Sequence, residues 1–402
     1  MSHRRPAKPY DGFPLTAHPN GSWCKKIRGR LFYFGPWDNP DGALKDYLEQ
    51  RDDLHAGRSP KPIKDRATVG YALDHFLSSK KIALDTGELS ERSYREHVRT
   101  CERINAALGT HRLLSDIDST ALDKLRLSLE SGFRSTVTRG RDKAKKRAKP
   151  KSKLSPTTVK GELTRARMVF LHVNENLAEK PIVYRKPLRS PSRRTMRQVV
   201  NERGDRSFTR EQVKSLIDGA SPQLRAMIYL GINCGFGNSD CATLPISKLD
   251  LDGGWHTYWR PKTQNPRRCP LWPETVKAIK AVLAVRPESG TVEAADYLFL
   301  TREGNCWTKA DGWNAISTEF RKLLKANSMY VRGVTGFYCL RRTFETVATD
   351  TRHQVAVDFI MGHCPPTDDM AAVYRQRVSD ESLKLVSDFV RNWLIGRRRK
   401  TS

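Results

Sequence analysis

Apolar positions along the chain fall into three zones with different periods. Two short β-rich runs in SWCKKIRGRLFYFG flank Arg28–Gly29 and predict a hairpin turn. Asp38 or Asn39 then caps a helix with Pro40 in its first turn and an apolar stripe of Ala43, Leu44, Tyr47 and Leu48. His55 to Arg66 is polar and proline-bearing and reads as a linker. Helical spacing governs the second zone. Val69, Leu73, Phe76 and Leu77 form one stripe, and Tyr94, Val98, Cys101, Ile104 and Leu108 form another that stops at Gly109. Leu122, Leu125 and Leu129 follow an Asp118–Ser119 cap, and Ser155–Pro156 opens a helix striped by Val159, Leu163, Ala166, Phe170 and Val173. Four helices of this kind predict a helical bundle.

The third zone begins at Ser207, where Thr209 and Gln212 make a capping box ahead of Val213, Leu216 and Ile217. Two helices are followed by LGINCGFGNSDCATL and then by the strand-like runs HTYWRPK and RRCPLW, joined by the turn Thr263–Gln264–Asn265–Pro266. Tyr297 to Thr301 reads as a further strand, and the remainder is mainly helical to Leu394. Near the end, Leu383, Leu385, Val386, Phe389 and Val390 suit either docking onto a neighbouring subunit or packing in cis.

Charge narrows the function. Lys and Arg total 72 against 44 acids in 402 residues, a net +28, which points to a polyanionic partner, nucleic acid before membrane. No apolar run approaches the roughly 20 residues of a membrane span, and the basic start MSHRRPAKPYDGF lacks the apolar stretch of a signal peptide. Phe133 to Lys153 carries ten basic residues and one acid, and Pro181 to Arg197 carries six basic residues and none. The first is either an arm along phosphates or a solvated loop, with the arm favoured inside a DNA-binding bundle. The eight cysteines are scattered without CxxC spacing and read as free thiols in a reducing compartment. His363–Cys364 with Cys339 lacks metal-ligand spacing, so no cofactor is expected. Composition therefore describes a cytoplasmic, nucleic-acid-binding, multidomain protein, for which association with the nucleoid is the expectation.

The chemistry is concentrated in the last quarter. GFYCLRRTFET places Arg341 on one predicted helix, and FIMGHCPPTDDMAAVYRQR carries His363 and Tyr374 beyond it. A guanidinium fork grips phosphate oxygens, an imidazole donates to another oxygen, and a phenol serves as nucleophile. Singly, each residue has a bland reading: a phosphate contact, a structural histidine, a core tyrosine. Their order and spacing favour the joint reading.

The Leu340–Arg341 pair, the Gly362–His363 pair and the following Tyr374 resemble the motif of the tyrosine recombinases, or phage-type integrases. The resemblance is firm from about Ser207 onward and architectural before it. It implies a mainly α fold with small β elements, in which a helical core-binding domain joins a mixed α/β catalytic domain. The divisions are a small α+β arm-type domain at 1–60, the core-binding domain at 66–180 with its basic insertion at 133–153, a basic linker at 181–206 and the catalytic domain at 207–402. The hairpin is similar to one whose tip carries an essential lysine, and Lys262 takes that place. Two positions depart from the pattern: Gly237 stands where the family has its first arginine, and Tyr338 stands where it has a histidine. Arg268, preferred over Arg267, is the candidate to bring a guanidinium into the first gap, and Tyr338 retains one donor.

The implied activity is site-specific recombination or integration of mobile-element DNA through a 3′-phosphotyrosyl intermediate, without metal or ATP. The implied partners are double-stranded DNA, three further copies of the chain in a homotetramer on DNA, and accessory DNA-bending proteins. The alternative is a catalytically impaired, sequence-specific DNA-binding factor derived from an integrase. A relaxing topoisomerase of similar mechanism is a distant third.

Overall fold

A computed structural model describes residues 5–57, 67–131, 154–308, 314–364 and 377–396. The predicted nucleophile Tyr374, the basic insertion 133–153 and the basic tail Arg397–Lys400 lie outside the described residues. The chain divides into two compact units, Met1–Glu88 with Glu96–Ser190 and Leu89–Arg95 with Pro191–Ser402.

In the first unit, strands β1 (Thr16–His18), β2 (Ser22–Ile27) and β3 (Arg30–Pro36) form an antiparallel sheet in that order. The turn between β2 and β3 has Arg28 at φ 49° and Gly29 at φ 83°, two positive values in succession that match the right-handed twist of a two-residue hairpin. Helix α1 (Pro40–Ala56) starts at Asn39, whose side chain accepts from the Gly42 amide, and lays Ala43 and Tyr47 against Trp23 and Phe34 of the sheet. The sequence pattern anticipated the hairpin and the helix, and it missed β1.

Helices α2 (Val69–Asp85), α3 (Glu91–Leu108), α4 (Ser119–Glu130) and α5 (Pro156–Asn176) meet in one core, to which α3 gives Cys101, Ile104 and Leu108 of its predicted stripe while Tyr94 and Val98 stay half-buried. Side-chain caps from Thr68, Asp118 and Ser155 start three of them. A polar cluster lies between α3 and α5. Glu162 accepts from Thr100 Oγ1 at 3.1 Å and from Arg165 Nη2 at 2.7 Å. Arg103 Nη1 also lies 2.9 Å from its carboxylate, close but not aligned for a hydrogen bond. Beyond α5, Ile182, Tyr184 and Leu188 of the basic stretch are buried in the same core.

The second unit opens with α6 (Arg193–Arg203), which buries no residue, and α7 (Arg210–Asp218), which starts with both halves of the predicted Thr209–Gln212 capping box. Helix α8 (Pro222–Asn233) is buried along most of its length, and α10 (Pro273–Leu283), α11 (Ala315–Ala326) and α12 (Tyr338–Thr349) pack on it. The short helix α9 (Asn238–Ala242) lies between α8 and the second sheet in chain order. That sheet is antiparallel and made of β4 (Leu249–Asp250), β5 (Trp255–Thr257) and β6 (Arg268–Pro270). Tyr297 to Thr301 is not a strand. Leu298, Phe299 and Leu300 are buried, yet the segment makes only isolated bridges from Tyr297 to Pro245 and from Leu300 to Cys306. A short buried apolar run satisfies the strand pattern without a neighbouring strand to pair with. Helices α13 (Gln354–Met361) and α14 (Asp380–Ile395) complete the unit. Leu383, Val386 and Val390 of α14 pack in cis, while Leu385 and Phe389 remain exposed.

Candidate active site

Asn233, the last residue of α8, fixes the frame. Its side-chain amide donates to the Pro270 carbonyl and to Ser387 Oγ, and its oxygen accepts from the Trp272 amide and Thr275 Oγ1. One buried carboxamide thus ties α8 to the hairpin strand β6, to α10 and to α14.

Beyond α8 the chain turns sharply at Gly235, which has φ +62°. A Cβ there would sit 3.1 Å from both Met361 and Phe344, so glycine is required for conformation and for space. The turn presents the Gly235 carbonyl to Arg341. Leu340, Phe344 and Ala348 face the core from α12, and Arg341 is drawn in beside them to 1% exposure. Its Nη1 donates to Gly235 O at 2.5 Å and its Nη2 to Met361 O at 2.9 Å, while Nε has no partner among the described residues. Burial lowers its pKa, and the adjacent Arg260 lowers it further.

His363 follows Gly362, which has φ +63° and caps α13 in the left-handed conformation. Its Nδ1 lies 2.9 Å from Asp358 Oδ1. In the neutral ring that bond places the proton on Nδ1 and leaves Nε2 as a lone-pair acceptor; in the imidazolium both nitrogens donate.

The hairpin tip rests on this turn. Arg260 Nη1 donates to Gly362 O at 3.3 Å, Thr263 Oγ1 to the same oxygen at 3.5 Å, and Asn265 Nδ2 to His363 O at 2.8 Å. Main-chain bonds from Tyr258 N to Arg267 O and from Arg260 N to Asn265 O continue the pairing beyond β5 and β6. Lys262 is exposed beside the turn and makes no ion pair among the described residues.

At the first departure from the pattern, Gly237 is extended and donates its amide to Asp240 Oδ2 at 2.7 Å. The other oxygen of Asp240 accepts from Arg267 Nη2 at 3.2 Å. Arg267 is fully buried, donates Nε to Tyr258 O and stacks on Phe236 with its guanidinium carbon 4.4 Å from the ring centroid. Tyr338 is 46% exposed, and its ring edge would be 3.6 Å from a Cβ at position 237. The two departures from the pattern are therefore neighbours in space.

Arg267 and Arg268, the two candidates on the hairpin, take opposite faces of β6 and its approach. Successive residues of a strand point to opposite faces, so the inward position belongs to Arg267 and the outward one to Arg268. Arg268 makes a bidentate pair with Asp380 at 3.0 and 3.1 Å, donates to Thr257 Oγ1 and stacks on Trp255 at 4.1 Å. That pairing holds the Asp380 carboxyl below its usual range.

Sequence reasoning missed Arg260. His256 and Tyr258 are buried, and Arg260 is the next residue of the same alternation, half-buried. The period-2 pattern pointed to it. Arg260 and Arg341 hydrogen-bond to consecutive carbonyls, those of Gly362 and Met361, and no carboxylate pairs with either among the described residues. Among the described residues, two guanidinium groups without a carboxylate partner thus meet at the turn that carries His363.

With that geometry in place, the likeness to solved structures is informative. A lambda integrase dimer bound to a COC′ core site superposes with a TM-score of 0.53 at 15% identity, covering 94% of this chain and 98% of that one. The Tn1549 transposon integrase in complex with a circular intermediate DNA gives 0.53 at 16% identity over 79% of this chain and 98% of that one. A lambda integrase tetramer bound to a Holliday junction gives 0.53 at 13% identity over 90% and 98%.

The fold is that of the tyrosine recombinases.

No protein-family model matches the sequence, and no curated protein matches it significantly. Likeness at these identities speaks for the fold; the chemistry has to be argued from the side chains.

Proposed function

We propose that the chain is a DNA strand-transfer enzyme that cleaves and rejoins duplex DNA through a phosphotyrosyl bond. The observation that carries the reading is the convergence of Arg341, Arg260 and His363 on the Met361–His363 turn, under a hairpin tip that bears Lys262. In this reading Tyr374 Oη attacks the scissile phosphorus and its proton passes to His363 Nε2. The P–O5′ bond breaks, Lys262 delivers a proton to the departing 5′-oxygen, and a 3′-phosphotyrosyl ester remains. The two guanidinium groups and the imidazolium, braced by Asp358, neutralise the charge on the non-bridging oxygens. Arg341 spends two of its five N–H donors on carbonyls and keeps the rest for phosphate.

Net charge of +28 supports DNA as the partner. The first unit would carry the arm-type and core-binding functions, the second the chemistry, with exchange performed by a tetramer on DNA. A second reading has its own observation: Gly237 has no side chain, and the Arg267 beside it is neutralised by Asp240, as suits an integrase-derived DNA-binding factor without turnover.

One experiment separates them. Incubation with a library of nicked duplexes should trap a denaturation-resistant protein–DNA adduct. Tyr374→Phe should abolish the adduct and preserve non-covalent binding. Tight binding by the unaltered protein with no adduct on any duplex decides for the binding factor.

A further inference from the structure

We infer that Cys234, His256 and Cys269 form a structural site for a thiophilic divalent cation of the Zn²⁺ class. Their ligand atoms all lie within 4.8 Å of one another and all three residues are buried. His256 and Cys269 are directly opposed across β5 and β6, and Cys234 closes the C-terminus of α8. Three residues far apart in sequence thus deliver one imidazole and two thiols to one point.

The independent observation is the state of His256. It is 1% exposed, and neither ring nitrogen has a hydrogen-bond partner among the described residues. A neutral imidazole has one donor and one acceptor to satisfy, and buried polar groups are almost always satisfied. An unplaced ion is one of the few explanations for such an orphan. The two cysteine sulfurs within 4.8 Å of it are natural companions of histidine around Zn²⁺. Phe236 covers the imidazole edge-on at 4.9 Å, which blocks access from that side.

The charges also suit a dication. A divalent ion displaces one proton each from Cys234 and Cys269 to solvent, and the resulting M²⁺(S⁻)₂(imidazole) group has no net charge. The buried guanidinium of Arg267, two residues before Cys269, is already paired with Asp240. Cys241 is turned toward the Met227 carbonyl and is not a member of the cluster. A fourth donor is at hand in a main-chain carbonyl, since those of Asn233 and Pro270 lie 3.6 and 3.4 Å from Cys269 Sγ.

The position gives the ion a purpose. Cys234 directly precedes Gly235, whose carbonyl holds Arg341, and His256 lies four residues before Arg260 on the strand that leads to the hairpin tip. An ion here would rivet the hairpin to α8 immediately behind both guanidinium groups. That consequence rests on the proposed function, whereas the site itself does not.

The test needs no DNA. The full chain, purified under reducing conditions without a chelator or a histidine tag, is assayed for metal by mass spectrometry. It is then stripped and titrated with Co²⁺, which reports thiolate ligation by a near-ultraviolet charge-transfer band. One equivalent of Zn²⁺ per chain and a saturable Co²⁺ band are expected. Cys269→Ala and His256→Phe should each weaken Co²⁺ binding at least tenfold, and Cys364→Ser, at an exposed thiol, should leave it unchanged. Absence of both the stoichiometric metal and the band in the unaltered protein overturns the proposal without recourse to a variant. So does a band abolished by Cys364→Ser, or a Cys234–Cys269 disulfide that persists in protein purified under those reducing conditions. Failure of these measurements leaves the strand-transfer reading standing, and failure to form a DNA adduct leaves the metal site standing.

Discussion

Arg260→Ala is the most direct probe of the proposed chemistry. The substitution removes a side chain held, among the described residues, by one long hydrogen bond, 3.3 Å to Gly362 O. The folded state should lose about 1 kcal/mol or less. It also relieves Arg341, whose pKa is depressed by burial and by the charge of Arg260. The effect on rate should be far larger than the effect on stability. One preorganised donor to developing phosphate charge is worth roughly a hundred- to a thousand-fold. Binding should suffer little beyond one phosphate interaction, lowering the salt slope by about 0.9. The assay is single-turnover adduct formation on a nicked duplex at saturating protein, read on a denaturing gel, with affinity measured separately. Arg268→Ala serves as the contrast: it opens a half-exposed pair with Asp380 and should change cleavage by less than about tenfold, because exposed pairs are worth roughly 1 kcal/mol or less. Gly237→Arg should partly restore Arg260→Ala by supplying a guanidinium from the other side, since the new Cβ would start 3.3 Å from Asp240 Oδ2 and need only a small adjustment. If Arg260→Ala cleaves at the normal rate while Gly237→Arg alone accelerates the reaction, Arg260 is not the compensating cation.

Three further outcomes can be checked. Deleting 133–153 should lower the salt slope of DNA binding by about 0.9 for each phosphate that the insertion neutralises, with little change in site preference; an unchanged slope identifies a solvated loop. Gly362→Ala should destabilise the second unit by about 1–3 kcal/mol and reduce adduct formation, because a Cβ at φ +63° would lie 2.7 Å from Arg267 Cδ and displace the His363 turn; an unshifted thermal midpoint refutes this. His97 and His172 both have pKa values lowered by burial first, so the unfolded chain binds their protons more readily. Their contribution is complete above the unfolded value of about 6.5 and is lost as pH falls through it, so the urea midpoint of the first unit should drop between about pH 7.5 and 5.5. His172→Gln should flatten that drop.

The helices were plain in the sequence, and the reason is local. Stripes such as Leu122–Leu125–Leu129 and the Thr209–Gln212 capping box are set by residues three or four apart. The helical bundle and the hairpin at Arg28–Gly29 could both be read from such neighbours. What depends on strand register was harder to read. Arg267 and Arg268 are adjacent letters, and only the face each occupies separates a buried partner of Asp240 from a surface partner of Asp380. Arg260 was legible in principle, had the alternation of His256 and Tyr258 been carried one step further. The Cys234–His256–Cys269 cluster was not, because its members meet through strand pairing and a helix end and show no short ligand spacing.

The carboxylate of Asp240 has a consequence for how this site can change. It grips the main-chain amide of position 237 with one oxygen and Arg267 with the other. The backbone at 237 is therefore held through its main-chain amide, and a side chain there would ask that carboxylate to give by only a few tenths of an ångström. Structural duty and chemical duty are uncoupled at that residue, so its side chain can be exchanged or discarded without unravelling the turn that holds Arg341. A chain built this way is free to move a charge from one wall of its site to another, because vacating the first position leaves the scaffold intact.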